Sequence, residues 1–252
     1  MEKFLILGGE SSLARGFFKY YRKECKSLSK KRCDITDLKI LESVIKNSRC
    51  EYVINCAAIT DIQFCEKNPK KCFEVNSIAV NNVGKFCDKY NKKFIHLSSD
   101  YAINPVNIYG YSKFISEKVL NLKKNLIIRT SFYSQDYFVI KSLLQGNKTL
   151  VYKNTFFNPV SINRLVLEIY RNKDKTGILN IFTDKKISKY SFGIKISKIL
   201  KINNKLLKPG NFKNKLNEVT LPLNSVVKSD IKISLDEDLL SFKKSSDFLF
   251  RH

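Results

Sequence analysis

The sequence predicts an α/β fold, a doubly wound parallel sheet with a small C-terminal α/β cap, and three features predict it. Short apolar runs alternate with helical patterns through the first half of the 252 residues. The first run ends in a small-residue turn that leads into a helix. Beyond residue 132 or so the alternation loses its regularity. Strands separated by helices imply parallel pairing, because each right-handed crossover carries a helix over a sheet face.

Taken in order, residues 3–8 (KFLILG) read as a strand buried on both faces. Leu13, Phe17, Phe18 and Tyr21 then recur at helical spacing. A short strand is expected over 25–29, followed by a helix over 38–47 with Asp34 or Thr36 near its cap. Residues 51–55 (EYVIN) give a third strand, 71–91 one long helix, and 93–97 (KFIHL) a fourth strand. A helix from about Asn107 to Leu122 precedes the strand 126–130 (LIIRT). After Ser131 a helix over 162–171, a strand over 178–182 and a helix over 190–199 are recognisable, and the polar, lysine-rich stretch 203–217 reads as loop. There is no internal repeat and no low-complexity linker.

Composition narrows the class. Hydrophobic residues at 43% and aromatic residues at 12% belong to a folded chain. No stretch approaches the length of a membrane span, and the amino terminus MEKFLILGGE carries too short an apolar run for a signal peptide. A cytoplasmic protein with no membrane partner is expected. Cys25, Cys33, Cys50, Cys56, Cys65, Cys72 and Cys87 form no CxxC pair, and with two histidines in the chain no metal site is expected. Their odd number argues against a secreted disulfide framework, so reduced structural thiols are expected. The net charge of +23 comes from scattered lysines, with no Lys/Arg run longer than three. No nucleic-acid partner is expected; positive potential also suits an anionic small substrate.

The turn after the first strand reads Gly8-Gly9-Glu10-Ser11-Ser12-Leu13-Ala14. A strand, a small-residue turn and a helix bring backbone N–H groups and the positive helix end against a pyrophosphate, in the Rossmann-like manner. Gly8, Ser11, Ser12 and Leu13 are the expected contacts, although Ser11 adds a side chain where the phosphate must approach. An acidic residue after the second strand would accept from the adenosine ribose hydroxyls. Ser29, Lys30, Lys31 and Arg32 stand there instead. Cations at this place would pair with a 2′-phosphate, which selects NADPH over NADH; the plainer reading is solvated cations in a lysine-rich protein.

The strongest signal is Tyr109-Gly110-Tyr111-Ser112-Lys113. Residues i and i+4 share a helix face, so Tyr109 and Lys113 lie side by side. An ammonium near a phenol would lower its pKa from about 10 and make it an acid–base group. Ser98-Ser99-Asp100 directly follows the fourth strand, at the carboxyl end where such sheets bind ligands. A serine hydroxyl there can donate to a substrate carbonyl.

With these motifs the sequence resembles the extended short-chain dehydrogenase/reductases, and within them the dTDP-4-dehydrorhamnose reductase family. The matching segments are CDITD (33–37), VINCAAIT (53–60), EVNSIAVNNV (74–83), IHLSSDYAI (95–103), NIYGYSK (107–113) and LIIRTSF (126–132), with a looser FNPVSINRLVLEI (157–169). The resemblance implies an NADPH-dependent reductase of a 4-keto nucleotide sugar in surface polysaccharide synthesis, monomeric or homodimeric. It implies Ser99, Tyr109 and Lys113 as the catalytic set. It places Asp34 and Ile35 near the adenine, Ala57 and Ala58 near the pyrophosphate and ribose, and Asn76 behind the cofactor. Thr130 and Ser131 would line the nicotinamide side, and Asp100, Tyr101, Phe132 and Asn158 would meet the substrate. Residues 1–132 would form the NADP-binding domain, with the helix over 160–172 packed back on it, and 133–252 the cap.

Three departures from the family pattern stand out. The segment between SSDYAI and NIYGYSK is short, and Leu221-Pro222 stands where an arginine before proline would hold a nucleotide diphosphate. Either Lys213 or Lys228 substitutes, or the substrate differs. The acidic residues that hold magnesium in some members are not evident. Two alternatives stay open: a non-catalytic nucleotide-binding regulatory subunit of the same fold, and an NAD-dependent epimerase or dehydratase.

Overall fold

A computed structural model describes residues 2–213 and 219–246. In chain order the elements are β1 (Phe4–Leu7), α1 (Ser12–Tyr21), β2 (Cys25–Leu28), α2 (Leu38–Asn47), β3 (Tyr52–Asn55), α3 (Ile62–Lys67), α4 (Pro69–Phe73), α5 (Ala79–Lys89), β4 (Lys93–Leu97), α6 (Ile108–Lys118) and β5 (Leu126–Thr130). They continue with β6 (Phe132–Tyr133), α7 (Phe138–Leu144), β7 (Thr149–Tyr152), β8 (Phe156–Phe157), β9 (Val160–Ser161), α8 (Ile162–Asn172), β10 (Gly177–Ile181), β11 (Ile187–Ser188), α9 (Lys189–Leu200), β12 (Leu207–Gly210) and α10 (Leu235–Ser246).

The central sheet has the order β10-β5-β4-β3-β1-β2, and β1 to β5 pair in parallel. This is the doubly wound, Rossmann-like α/β sheet that the alternating pattern predicts. Leu7 registers with Leu28 on one side and Asn55 on the other, and Asn55 with His96. The segments after β1, β3 and β4 therefore emerge together at one sheet edge. No helix among the described residues is long and apolar enough to cross a membrane.

The chain divides into two compact units. One runs to Arg129 and includes Val166–Leu179; the other comprises Thr130–Leu165 and the chain from Asn180 onward. In the first unit Leu5, Leu7 and Val53 pack with Leu41 and Ile45 of α2 and Val80 and Val83 of α5. Burial of such side chains supplies about 1.5–3 kcal/mol each. Elsewhere in this unit, Phe4 meets Phe17 and Tyr170, and Tyr170 of α8 stacks on Tyr21 at 4.1 Å between ring centroids. In the second unit Val139, Leu143, Val151 and Leu207 form a small core under the parallel pair β7–β12.

Three sequence expectations are corrected. The helix expected over 71–91 is interrupted by a π-helical turn at Glu74–Ile78. The cap of α2 is Asp37, whose carboxylate accepts from the N–H groups of Lys39 and Ile40 at 3.0 and 3.1 Å, while Asp34 bonds Thr36. The stretch expected as loop over 203–217 contains a 3₁₀ turn at Asn204–Leu206 and the strand β12; its residues 214–217 lie outside the described residues.

Candidate functional site

Gly8 follows β1 directly, at φ +76°, a conformation in which a side chain is strained. A Cβ there would stand 2.5 Å from the Ala57 nitrogen, so the turn after β1 and the segment after β3 approach backbone to backbone. Between them opens a crevice of about 500 Å³. Of the expected cofactor residues, Gly8, Ser11, Lys30, Asp34, Ile35, Ala57 and Ala58 line it. Glu10, Cys33, Cys56, Phe64, Lys71 and Val75 line it too, and sequence reasoning did not assign them. Cys33 and Cys56 lie inside the quoted CDITD and VINCAAIT segments, which was the available signal.

The side chain of Ser11 has a local task. Its hydroxyl caps α1, accepting from the Ala14 N–H at 3.1 Å, and it also bonds the Cys56 thiol. Burial pushes that thiol up to about 12, so it stays protonated near neutrality. Leu13 is buried in the core rather than facing the crevice, and the Ser12 hydroxyl accepts from Arg15. Lys30 lies 3.7 Å from Asp34, whereas Lys31 is exposed and lines none of this crevice. Burial raises the Asp34 carboxyl, but bonds from Thr36 outweigh it and the net direction is down.

Asn76 sits in the π-helical turn, fully buried. Its carbonyl oxygen accepts from Ile59 N at 2.8 Å. Its amide nitrogen donates to Ile59 O at 2.9 Å and to Ser112 Oγ at 3.0 Å. It thereby ties the crevice wall to α6.

α6 begins at Asn107, which caps it by accepting from Gly110 N at 2.8 Å. Gly110 is a glycine for want of room, since a Cβ there would lie 2.9 Å from Tyr101 O. The short 101–107 segment folds tightly over the helix start as a result. On the inward face the Lys113 ammonium, almost fully buried, donates to Leu97 O at 2.8 Å. Burial lowers Lys113 to about 8, opposed first by Cys72 and then by Glu117. Ser99 shares a hydrogen bond with Tyr109 and donates to Asp100 Oδ1 at 2.8 Å. Tyr101 meets the Tyr109 ring edge-on at 5.9 Å.

The phenol behaves differently from the sequence expectation. Burial raises the Tyr109 pKa, Asp100 adds to the rise, and the Ser99 bond only opposes it. Desolvation of the phenolate dominates here, so Tyr109 is held neutral.

The remaining expected residues belong to the second unit. Thr130 is buried and donates to Ile181 O at 3.0 Å; Ser131 O accepts from Val160 N at 2.9 Å; Phe132 lies half-buried in β6. Asn158 is buried with its whole amide engaged: Nδ2 donates to Thr183 O and Val227 O, and Oδ1 accepts from Val227 N. Lys213 and Lys228 are exposed. Among the described residues no group of three His, Cys, Asp or Glu side chains could hold a metal ion.

The chain resembles several known proteins. It is 32% identical over 123 residues to a dTDP-4-dehydrorhamnose reductase of Mycolicibacterium smegmatis, covering 42% of this chain and 37% of that protein. It is 33% identical over 115 residues to a probable low-salt glycan biosynthesis reductase of Haloferax volcanii, covering 39% and 38%. The chain thus spans well under half the length of these relatives in the matched segments. A crystal structure of dTDP-4-dehydrorhamnose reductase from Bacillus anthracis in complex with NADP gives a TM-score of 0.87 at 21% identity, covering 98% of this chain and 100% of that one. UDP-glucose 4-epimerase of Thermotoga maritima with UDP-glucose gives 0.76 at 18% identity, covering 98% and 99%. At such identities the structural likeness shows the fold alone. The model of the RmlD substrate binding domain matches residues 2–244, nearly the whole chain, and the protein belongs to that family.

Proposed function

We propose that the protein is an NADPH-dependent reductase of a 4-keto nucleotide sugar, acting in surface polysaccharide synthesis. One observation carries this reading: Ser99, Tyr109 and Lys113 converge where β4 meets α6, with Ser99 on the phenol and Lys113 on Leu97 O. The crevice suits a dinucleotide because the turn at Gly8, where a Cβ would strike the Ala57 backbone, brings two bare backbone segments to its wall, Ala57 and Ala58 leave room, and Lys30 supplies a cation for a 2′-phosphate. Cofactor contacts then fall to the crevice residues with Asn76 behind them and Thr130 and Ser131 beside the nicotinamide; Asp100, Tyr101 and Phe132 serve the sugar, while the Asn158 amide, expected there too, is taken up by the backbone of Thr183 and Val227. Residues 1–132 hold the cofactor and 133–252 the sugar nucleotide.

NADPH, when bound, supplies the hydride. The proton steps belong to the chain. Burial keeps the Tyr109 phenol neutral, the form a reductase needs before turnover. Ser99 polarises the keto oxygen, and Tyr109 gives its proton to that oxygen as charge develops on it. The Lys113 ammonium then stabilises the phenolate left behind and holds the nicotinamide ribose.

The test is a fluorescence titration with NADPH and NADH, followed by turnover on a panel of 4-keto nucleotide sugars. Preference for NADPH with turnover is expected, and Tyr109→Phe should retain binding while losing roughly 100- to 10,000-fold in rate. Binding with no turnover on any sugar would support a regulatory subunit instead. Tightly held NAD with no net NADPH consumption would support an epimerase or dehydratase.

A further inference from the structure

Three consecutive residues at the end of β4 and just beyond it contact three successive turns of α6. Leu97 O accepts from Lys113, Ser98 Oγ donates to Glu117 Oε1 at 2.5 Å, and Ser99 bonds Tyr109. Tyr109, Lys113 and Glu117 are spaced i, i+4, i+8, so they form one column on the helix face. Glu117 is as buried as Lys113, and its carboxylate is held from the sheet side by Arg129 of β5. Arg129 Nε lies 2.9 Å from Oε1, and Nη2 lies 2.6 Å from Oε2. The mechanism above uses Lys113 and Tyr109 and leaves this third member of the column without a task.

We infer that Glu117 is a positioning residue of the active site: braced by Arg129, it fixes Ser98 so that the flanking Leu97 O and Ser99 Oγ meet Lys113 and Tyr109. This rests on the reductase reading. A one-residue slip of the 97–99 segment would exchange the faces of all three residues, and Ser98 is pinned on its backbone as well, donating to Ile128 O at 2.8 Å. A carboxylate this deeply buried is expensive unless paired, and pairing with Arg129 alone would not require a bond to Ser98.

The electrostatics agree in direction. Burial lowers Lys113, and Glu117 is among the groups that oppose it. The other titratable groups facing Lys113 are Cys56 after β3, Cys65 of α3 and Cys72 of α4; burial raises the Cys56 and Cys65 thiols, which therefore carry no negative charge near neutrality. His96 of β4 is kept neutral, by burial first and then by Lys113 itself, while Ser116 bonds its Nε2. Asp100 acts on Tyr109, and Arg129 is neutralised by Glu117. Glu117 is thus the carboxylate on α6 that acts on Lys113 directly.

The decisive comparison is Glu117→Gln alone against Glu117→Gln with Arg129→Gln. The single variant keeps an oxygen for Ser98 but leaves a buried guanidinium unpaired, so it loses stability for a merely structural reason. The double variant removes both charges and should recover much of the thermal stability. In both, the alkaline limb of the pH profile for kcat, and for NADPH affinity by fluorescence, should move to lower pH, with turnover at pH 8 down by up to about 100-fold. A double variant with restored stability and a wild-type pH profile overturns the inference and leaves the reductase reading intact. A wild-type protein that neither binds NADPH nor turns over any keto sugar removes both, and is distinguished by that control.

Discussion

Asn76 and Ser112 share a buried hydrogen bond of 3.0 Å, and the same asparagine closes two further bonds on the backbone of Ile59. One amide therefore couples the loop after β3 to the helix that carries Tyr109 and Lys113. Asn76→Ala leaves Ile59 N and O without these partners and should destabilise by about 2 kcal/mol in urea unfolding. NADPH affinity should fall with it, because Ala57 and Ala58 lie on the loop that is released. Asn76→Asp keeps the acceptor for Ile59 N but not the donors, and should fall between. Unchanged NADPH affinity in Asn76→Ala would count against the coupling.

Gly8 and Gly146 share a positive φ, +76° and +71°, but not their surroundings. A Cβ at Gly8 meets the backbone of Ala57, which cannot yield, whereas nothing lies within 4 Å of one at Gly146. Gly146→Ala should show only the conformational penalty, about 1–2 kcal/mol, and full NADPH binding. Gly8→Ala should add the overlap with Ala57 and lose measurable binding. Equal behaviour of the two in calorimetric unfolding and NADPH titration would show that the close approach does not matter.

The strands β4 and β5 and the pair Tyr109 and Lys113 were legible because each is a local pattern: an apolar run, or an i, i+4 spacing. What stayed hidden depends on partners far along the chain. The π-helical turn accompanies Asn76, whose partners lie 17 and 36 residues away, and helical periodicity carries no trace of them. β12 looked like loop because Lys208 and Pro209 break its pattern. It is tolerated as a strand because it has only β7 as neighbour in a two-stranded sheet, where a missing N–H is cheap. Asp34 and Asp37 are equally good caps on paper, and only the start of α2 decides between them. Glu117 could have been reached by extending the Tyr109–Lys113 spacing one more turn, but its bonds to Ser98 and Arg129 could not.

Lys30 and Lys31 are adjacent in sequence and differ in position. Lys30 lines the crevice beside Asp34, and Lys31 is exposed away from it. Lys30→Ala should weaken NADPH binding by about 5- to 10-fold and leave NADH unchanged, an exposed cation being worth little more. Lys31→Ala should alter neither. The Lys30 effect should shrink between 50 mM and 500 mM salt as screening increases. Equal losses for both lysines would mean a diffuse basic field reads the phosphate.

Lys113 is placed where its charge is useful and its burial is unfavourable. Its folded value of about 8 lies below the ordinary 10.5, so the fold prefers the neutral amine. Between those two values the unfolded chain holds a proton that the folded protein has released, and stability rises with pH through that window. Below about pH 8 both states are protonated and the full penalty, on the order of 3 kcal/mol, is present. Lys113→Met fills similar volume without a charge, so it should be more stable than wild type at pH 7, inactive, and weaker for NADPH. Its stability advantage should shrink as pH is raised from 8 to 10, read as the difference in urea midpoint between the two proteins at each pH. A methionine variant that is less stable at every pH would mean that the bond from Lys113 to Leu97 O outweighs the desolvation of its charge.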